Sequence, residues 1–136
     1  MKKLKRIYWE TKYSVYDDNL DRQHQYLFEI TNQMIDEYEE GKDDCREILA
    51  KLVSYISEHF KAEQHVMMKM RFWAYDKHEK EHQKFIEKVE EFINACRENP
   101  EGINFEILSF LQDWLSTHIA NYDLKYGELL KISRRL

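Results

Sequence analysis

Apolar and polar positions alternate along this chain with the period of a helix. From Leu20 the sequence steps through His24, Leu27, Thr31, Met34 and Tyr38, a spacing that turns one face of a helix towards its neighbours. A second stripe runs Ile48, Leu52, Ile56, His59 with Phe60, Glu63, Met67 and Met70. A third runs His78, His82, Phe85, Val89, Phe92 and Cys96. A fourth starts after Gly102 and takes in Ile107, Leu108, Leu111, Trp114, Leu115 and His118. The pattern predicts helices over 19–40, 43–70, 75–98 and 104–121. Asp17, Asp18 or Asn19 would cap the first and Asp43 or Asp44 the second, while Gly41 and Asn99-Pro100 would end the first and third. Short connections between such helices make sequential neighbours antiparallel. The expected fold class is therefore all-α, an up-down-up-down antiparallel four-helix bundle. Residues 1–18, with Tyr8, Trp9, Tyr13 and Tyr16, are expected to form an aromatic arm packed on the bundle, because so many exposed rings would be a liability. Residues 122–136 form a short C-terminal segment in which Gly127 weakens the case for a helix. The whole of 1–136 reads as one domain.

Composition narrows the function. Three glycines and one proline leave little material for the turns of a sandwich or barrel. No apolar run approaches the roughly 18 residues of a membrane span. With 21 basic against 26 acidic side chains and a net charge of −5, the chain lacks the cationic excess that nucleic acid binding requires. No apolar stretch follows the basic start at Lys2, Lys3, Lys5 and Arg6, so no secretory leader is readable. Cys45 and Cys96 show no CxxC pattern and read as two reduced core thiols, which points to the cytoplasm.

The histidines carry the chemistry. His24, His59, His78, His82 and His118 all sit on apolar stripes, and together they occupy all four helices. Each buried imidazole needs partners or costs on the order of 1–3 kcal/mol. Metal coordination satisfies all of them together. Glu63 follows His59 by four residues and shares its face, and His78 and His82 repeat that spacing. Asp123 lies five residues after His118, about 140° round a straight helix. Those two converge only if the helix bulges, tightens or ends between them. His65 falls on the face opposite Glu63 and reads as solvated. Five imidazoles and two carboxylates favour a first-row transition metal over calcium or magnesium. Seven donors exceed the needs of one ion, so two ions bridged by the carboxylates are implied. Two six-coordinate ions with one bridging oxo or hydroxo group would leave one position open for a small molecule.

The ordered set Asp21-x-x-His24, His59-Phe60-x-x-Glu63, His78-x-x-x-His82 and Trp114-Leu115-x-x-His118-Ile119-x-x-x-Asp123 resembles the hemerythrin family in its single-domain bacterial form. The resemblance covers Trp9 to about Leu130. It implies two non-haem iron ions per chain with a bridging oxo or hydroxo group, and reversible binding of dioxygen for storage or delivery. His78, His82 and His118 would hold one iron, and His24 and His59 the other, which keeps the open position. Glu63 and Asp123 would bridge them. Leu27, Phe60, Trp114, Leu115 and Ile119 would wall the oxygen pocket. No enzymatic turnover is expected, and no protein partner can be named. Two departures stand out: Gln64 occupies the place of a second Glu that follows the bridging Glu in many bacterial members, and Tyr16 replaces the usual Gly before the first ligand.

Other readings explain less. His78-Glu79-Lys80-Glu81-His82 matches the zinc-protease string HExxH, but Glu79 falls off the stripe towards solvent and three histidines are left over. A carboxylate-rich di-iron oxidase or iron-handling bundle would draw on Asp21 and Glu79, both at or beyond the stripe edge. A cofactor-free interaction module leaves all five histidines unexplained. Within the hemerythrin reading, sensing of oxygen or redox state through a partner is the alternative role.

Overall fold

A computed structural model describes residues 4–42 and 44–135. Lys2, Lys3 and the alternative cap Asp43 lie outside the described residues. Four long helices, α1 (Asp18–Glu39), α2 (Cys45–Lys69), α3 (Tyr75–Glu98) and α4 (Asn104–His118), are followed by a π-helical turn (Ile119–Asp123) and α5 (Leu124–Arg135). No strand occurs among the described residues. The four-helix bundle expected from the periodicity is the observed architecture: α1 lies against α2 and α4, and α3 against α2. Among the described residues no helix is long and apolar enough to cross a membrane.

Local chemistry explains the helix ends. Asp17 caps α1 by accepting from the Leu20 amide at 2.9 Å, and Asp44 caps α2 by accepting from the Arg46 amide at 3.0 Å. Gly41, at φ 91°, takes the left-handed step that closes α1, and the Lys42 amide then reaches back to the Glu37 carbonyl. Arg71 makes the same step at φ 52° after α2, where the Phe72 amide bonds the Met67 carbonyl at 2.9 Å. That tight turn sets α3 antiparallel to α2 and brings His78 opposite Glu63.

The arm is laced onto the bundle by polar side chains. The Lys5 amide donates to Gln112, and Ile7 exchanges two hydrogen bonds with Asn32. Asp21 accepts from the Ser14 hydroxyl and the Val15 amide, at 2.6 and 2.8 Å. Trp9 and Tyr13 pack against the core, whereas Tyr8 is 68% exposed, against the expectation for that ring. Tyr16 sits at φ 61°. This position wants the left-handed conformation that only Gly adopts without strain, and Lys131 rests over the tyrosine ring. Gly127 has the opposite meaning from a helix weakener. A Cβ there would come within 2.9 Å of the Val15 backbone, so its absence lets the arm and α5 touch.

The cysteines correct the sequence reading. Cys45 at the start of α2 and Cys96 near the end of α3 form a disulfide, with Cα atoms 6.1 Å apart. Nothing in a 51-residue spacing reveals this. The antiparallel pairing of α2 with α3 brings the two positions level. The bond takes away the free-thiol argument on which a cytoplasmic location rested.

Two apolar clusters fill the interior. The larger runs from the disulfide through Ile48, Leu52, Phe92, Ile107 and Leu111 to Phe60, Phe85 and Leu115. The smaller holds Val15, Leu20, Met67, Phe72, Ala74 and Tyr126. Between them lies a layer of buried polar side chains.

Candidate metal centre

That layer contains His24, His59, Glu63, His78, His82, His118 and Asp123, each at most 4% exposed. α1 contributes His24, α2 contributes His59 and Glu63 one turn apart, and α3 contributes His78 and His82. The last two members come from the end of α4 and the turn beyond it. There the backbone changes from α to π winding over Ile119–Asp123, and a π turn pairs residues five apart. The five-residue spacing that a straight helix would splay thus brings Asp123 Oδ1 to 2.9 Å from His118 Nε2. His65 is exposed and stands apart.

The donor atoms form two groups that share Glu63. His78, His82, His118 and Glu63 make one, and His24, His59, Glu63 and Asp123 the other; within each, one ligand atom per residue lies within 4.8 Å of the rest. Each carboxylate divides its oxygens between the groups. Glu63 Oε2 is 2.9 Å from His78 Nε2 and 3.5 Å from His82 Nε2. Its Oε1 touches His59 Nε2 and lies 3.5 Å from His24 Nε2. Asp123 Oδ1 faces His78 at 3.1 Å and His118, while its Oδ2 faces His24 at 3.2 Å.

Hydrogen bonding accounts for only part of this proximity: Glu63 is paired with His24 and His78. Both oxygens of Asp123, and Nε2 of His82 and His118, lack an aligned hydrogen-bond partner among the described residues despite these short distances. The atoms converge on a common interior rather than on each other. Donors sharing one ion through bonds of about 2.1 Å stand about 3 Å apart at right angles, which is the spacing seen. Neutral imidazoles with two carboxylates also form the donor set that iron, zinc or copper takes, so the residues fit a pair of transition-metal ions.

Without cations the layer is electrostatically tense. Burial lowers the affinity of the His24 imidazole for protons, but the carboxylates of Asp123 and Glu63, 3.2 and 3.5 Å away, overcome it and hold its pKa at about 9. The same balance holds His78 at about 10. His59 moves the other way, because burial outweighs its attraction to Glu63. Burial opposes ionisation of Glu63, yet the charge of His59 and hydrogen bonds from His24, His59 and His78 hold it well below the carboxylate range. Asp123 is likewise lowered: burial and Glu63 oppose its charge, and His118 and His24 prevail. Protons on His24 and His78 would therefore stand in for cations, and a metal bound there would displace them.

The expected pocket walls are placed as follows. Leu27, Phe60, Leu115 and Ile119 are buried in the larger apolar cluster, with Trp114 packed half-buried against it. Phe60 stacks on His82 with ring centres 3.7 Å apart, and Trp114 stacks on His118 at 4.2 Å. Sequence reasoning missed three neighbours. Gln23 Oε1 lies 2.7 Å from His59 Nδ1 and accepts a hydrogen bond from it. Glu79, expected in solvent, is half-buried beside His82 and accepts from the Gln64 amide at 2.7 Å. Tyr126 is fully buried, its ring centre 5.6 Å from that of His78. Gln23 sits one residue from a ligand candidate, a position that could have betrayed it.

Fold and layer together define a helical bundle built round a buried cation-binding site. The family model described as the hemerythrin HHE cation binding domain matches residues 15–130. A hemerythrin subunit of Sipunculus nudus is 30% identical over 122 residues, covering 90% of this chain and 92% of the relative. A bacteriohemerythrin of Clostridium acetobutylicum is 28% identical over 128 residues, covering 87% and 96%. A myohemerythrin of Theromyzon tessulatum is 29% identical over 118 residues, covering 87% and 88%. The chain belongs to the hemerythrin family.

Proposed function

We propose that the chain, acting as one domain, binds dioxygen reversibly at two iron ions and serves in oxygen storage or delivery. His78, His82 and His118 hold one ion, and His24 and His59 the other, with Glu63 and Asp123 spanning both. The single observation that carries the reading is the division of each carboxylate's oxygens between the two histidine groups. A mononuclear site has no use for that arrangement. Iron, when bound with its bridging oxo or hydroxo group, supplies the redox-active pair and the one vacant position that a small molecule needs.

The chain's own residues do the rest. His24 and His59, with five donors to share between the groups, leave their side of the pair less crowded. Phe60 and Trp114 each cover one face of an imidazole, of His82 and His118 respectively, and shield that face from water and anions. The expected pocket walls Leu27, Leu115 and Ile119 are apolar and offer no proton to a bound molecule, which favours release over cleavage. Asp21 ties down the arm and Glu79 lies behind His82, so neither is placed as the extra ligand of a carboxylate-rich oxidase, nor Glu79 as the general base of a zinc protease. The test is optical: the reduced, iron-loaded protein should develop a charge-transfer band in air and lose it when oxygen pressure is lowered. Irreversible oxidation with no recoverable spectrum would contradict the proposal.

A further inference from the structure

The two halves of the centre differ behind the histidines. His59 Nδ1 meets a neutral group, the amide oxygen of Gln23, at 2.7 Å. His82 Nδ1 instead faces a carboxylate: Glu79 Oε1 lies 3.3 Å away, one turn back along α3. Neither atom of that second contact has an aligned hydrogen-bond partner among the described residues. They are two buried orphans side by side, and a small rotation of the carboxylate satisfies both. Nδ1 of His24, His78 and His118 also lacks a hydrogen-bond partner among the described residues.

Glu79 is itself held. Its other oxygen, Oε2, accepts from Gln64 Nε2 at 2.7 Å across the α2–α3 groove. A carboxylate can only accept, so the residue facing Glu79 must donate. A second carboxylate there would repel it. On its other side, the His82 ring lies against Phe60, with planes only 8° apart. Phe60 thus fixes the plane of the ring, and Glu79 fixes which nitrogen carries the proton, turning Nε2 towards the metal layer.

We propose that Glu79, oriented by Gln64, is a positioning residue that makes the two metal positions electronically unequal: it loads His82 with negative charge while Gln23 leaves His59 neutral. The inference rests on the dinuclear iron reading above. A carboxylate behind a metal-bound imidazole raises the ligand's basicity and so favours the ferric state of the ion it serves. The ion of the three-histidine group is then the easier of the two to oxidise. In a dye-mediated titration each ferrous ion gives one electron to the mediator and becomes ferric, with no bond made or broken in the chain.

The experiment compares the iron-loaded parent with E79Q, E79A, Q64A and Q23E, reading midpoint potentials and the rate of iron loss to a chelator. E79Q keeps an acceptor for His82 but removes the charge. It should raise the potential of one iron so that the ferric-to-ferrous ratio at a fixed potential falls about tenfold, or about 59 mV for one electron, while iron retention changes little. E79A removes the acceptor as well and should release iron about tenfold faster or more. Q64A keeps the charge but lets it wander, and should speed iron loss without the full potential shift. Q23E places the missing charge behind His59 and should move a potential in the opposite direction from E79Q. Parent-like potentials in both E79Q and Q23E, in chains carrying two irons, would overturn the inference and leave the dinuclear reading intact. A parent chain that takes up no iron pair would overturn both.

Discussion

The two ends of the bundle are held together by opposite means. Around Cys45 and Cys96 the interior is apolar, cross-linked and complete without any addition. Around Glu63 and Asp123 it is a buried layer of five imidazoles and two carboxylates, dense with unpaired polar atoms. Burying such groups costs free energy unless each finds a partner. The first end is therefore built for stability, and the second spends stability to keep a site open for cations. A single chain carries both because α2 and α3 run the full length, starting or ending at the disulfide and presenting His59, Glu63, His78 and His82 at the other end.

Removing metal should break the comparison most strongly. Ligands come from all four long helices and the turn after α4, so stripping the loaded protein with a chelator should lower its melting temperature by about ten degrees or more. An unchanged melting curve would show that the polar layer is self-sufficient. The stripped chain should then reveal the proton substitution. His24 and His78 have folded pKa values of about 9 and 10, above their unfolded value. Their contribution is fully present below about pH 6.5 and is lost as pH rises through those values. Melting of the stripped chain should fall by more than about five degrees between pH 6 and pH 10. The loaded chain should show no such loss, since metal has replaced the protons. It should instead release its ions on acidification near pH 5 or below, as imidazoles compete for protons.

At the other end, C45A/C96A should destabilise the protein by about 4 kcal/mol while leaving the metal content at the parent level. Denaturant melts with metal analysis check both halves of that statement. Loss of metal along with stability would mean that the two ends are coupled. The smallest effect concerns the boundary between them. W114A uncovers His118 and should speed autoxidation more than tenfold, a barrier change of about 1.4 kcal/mol, with metal content kept. A smaller change would show that the apolar wall does not protect the site.

The same contrast explains what was legible in the sequence. Helix periodicity is a local property, so Leu20 to Tyr38 and the three later stripes could be recognised directly, as could the histidines riding on them. The spacing of His118 and Asp123 announced a break in the helix but not its form; the π turn depends on five residues bending to bring two side chains level. The disulfide was hidden because Cys45 and Cys96 become neighbours only through helix pairing. Gly127 was misread for a similar reason: its role lies in Val15, far away along the chain. Glu79 sits just off the stripe, and only the packing of α2 against α3 turns it inward towards Gln64 and His82.

Metal stoichiometry tests the central claim most directly. After anaerobic reconstitution with ferrous iron and removal of the excess, the parent should hold two irons per chain, and E63A, which removes a carboxylate shared by both groups, should hold fewer. One iron or none in the parent would contradict the account.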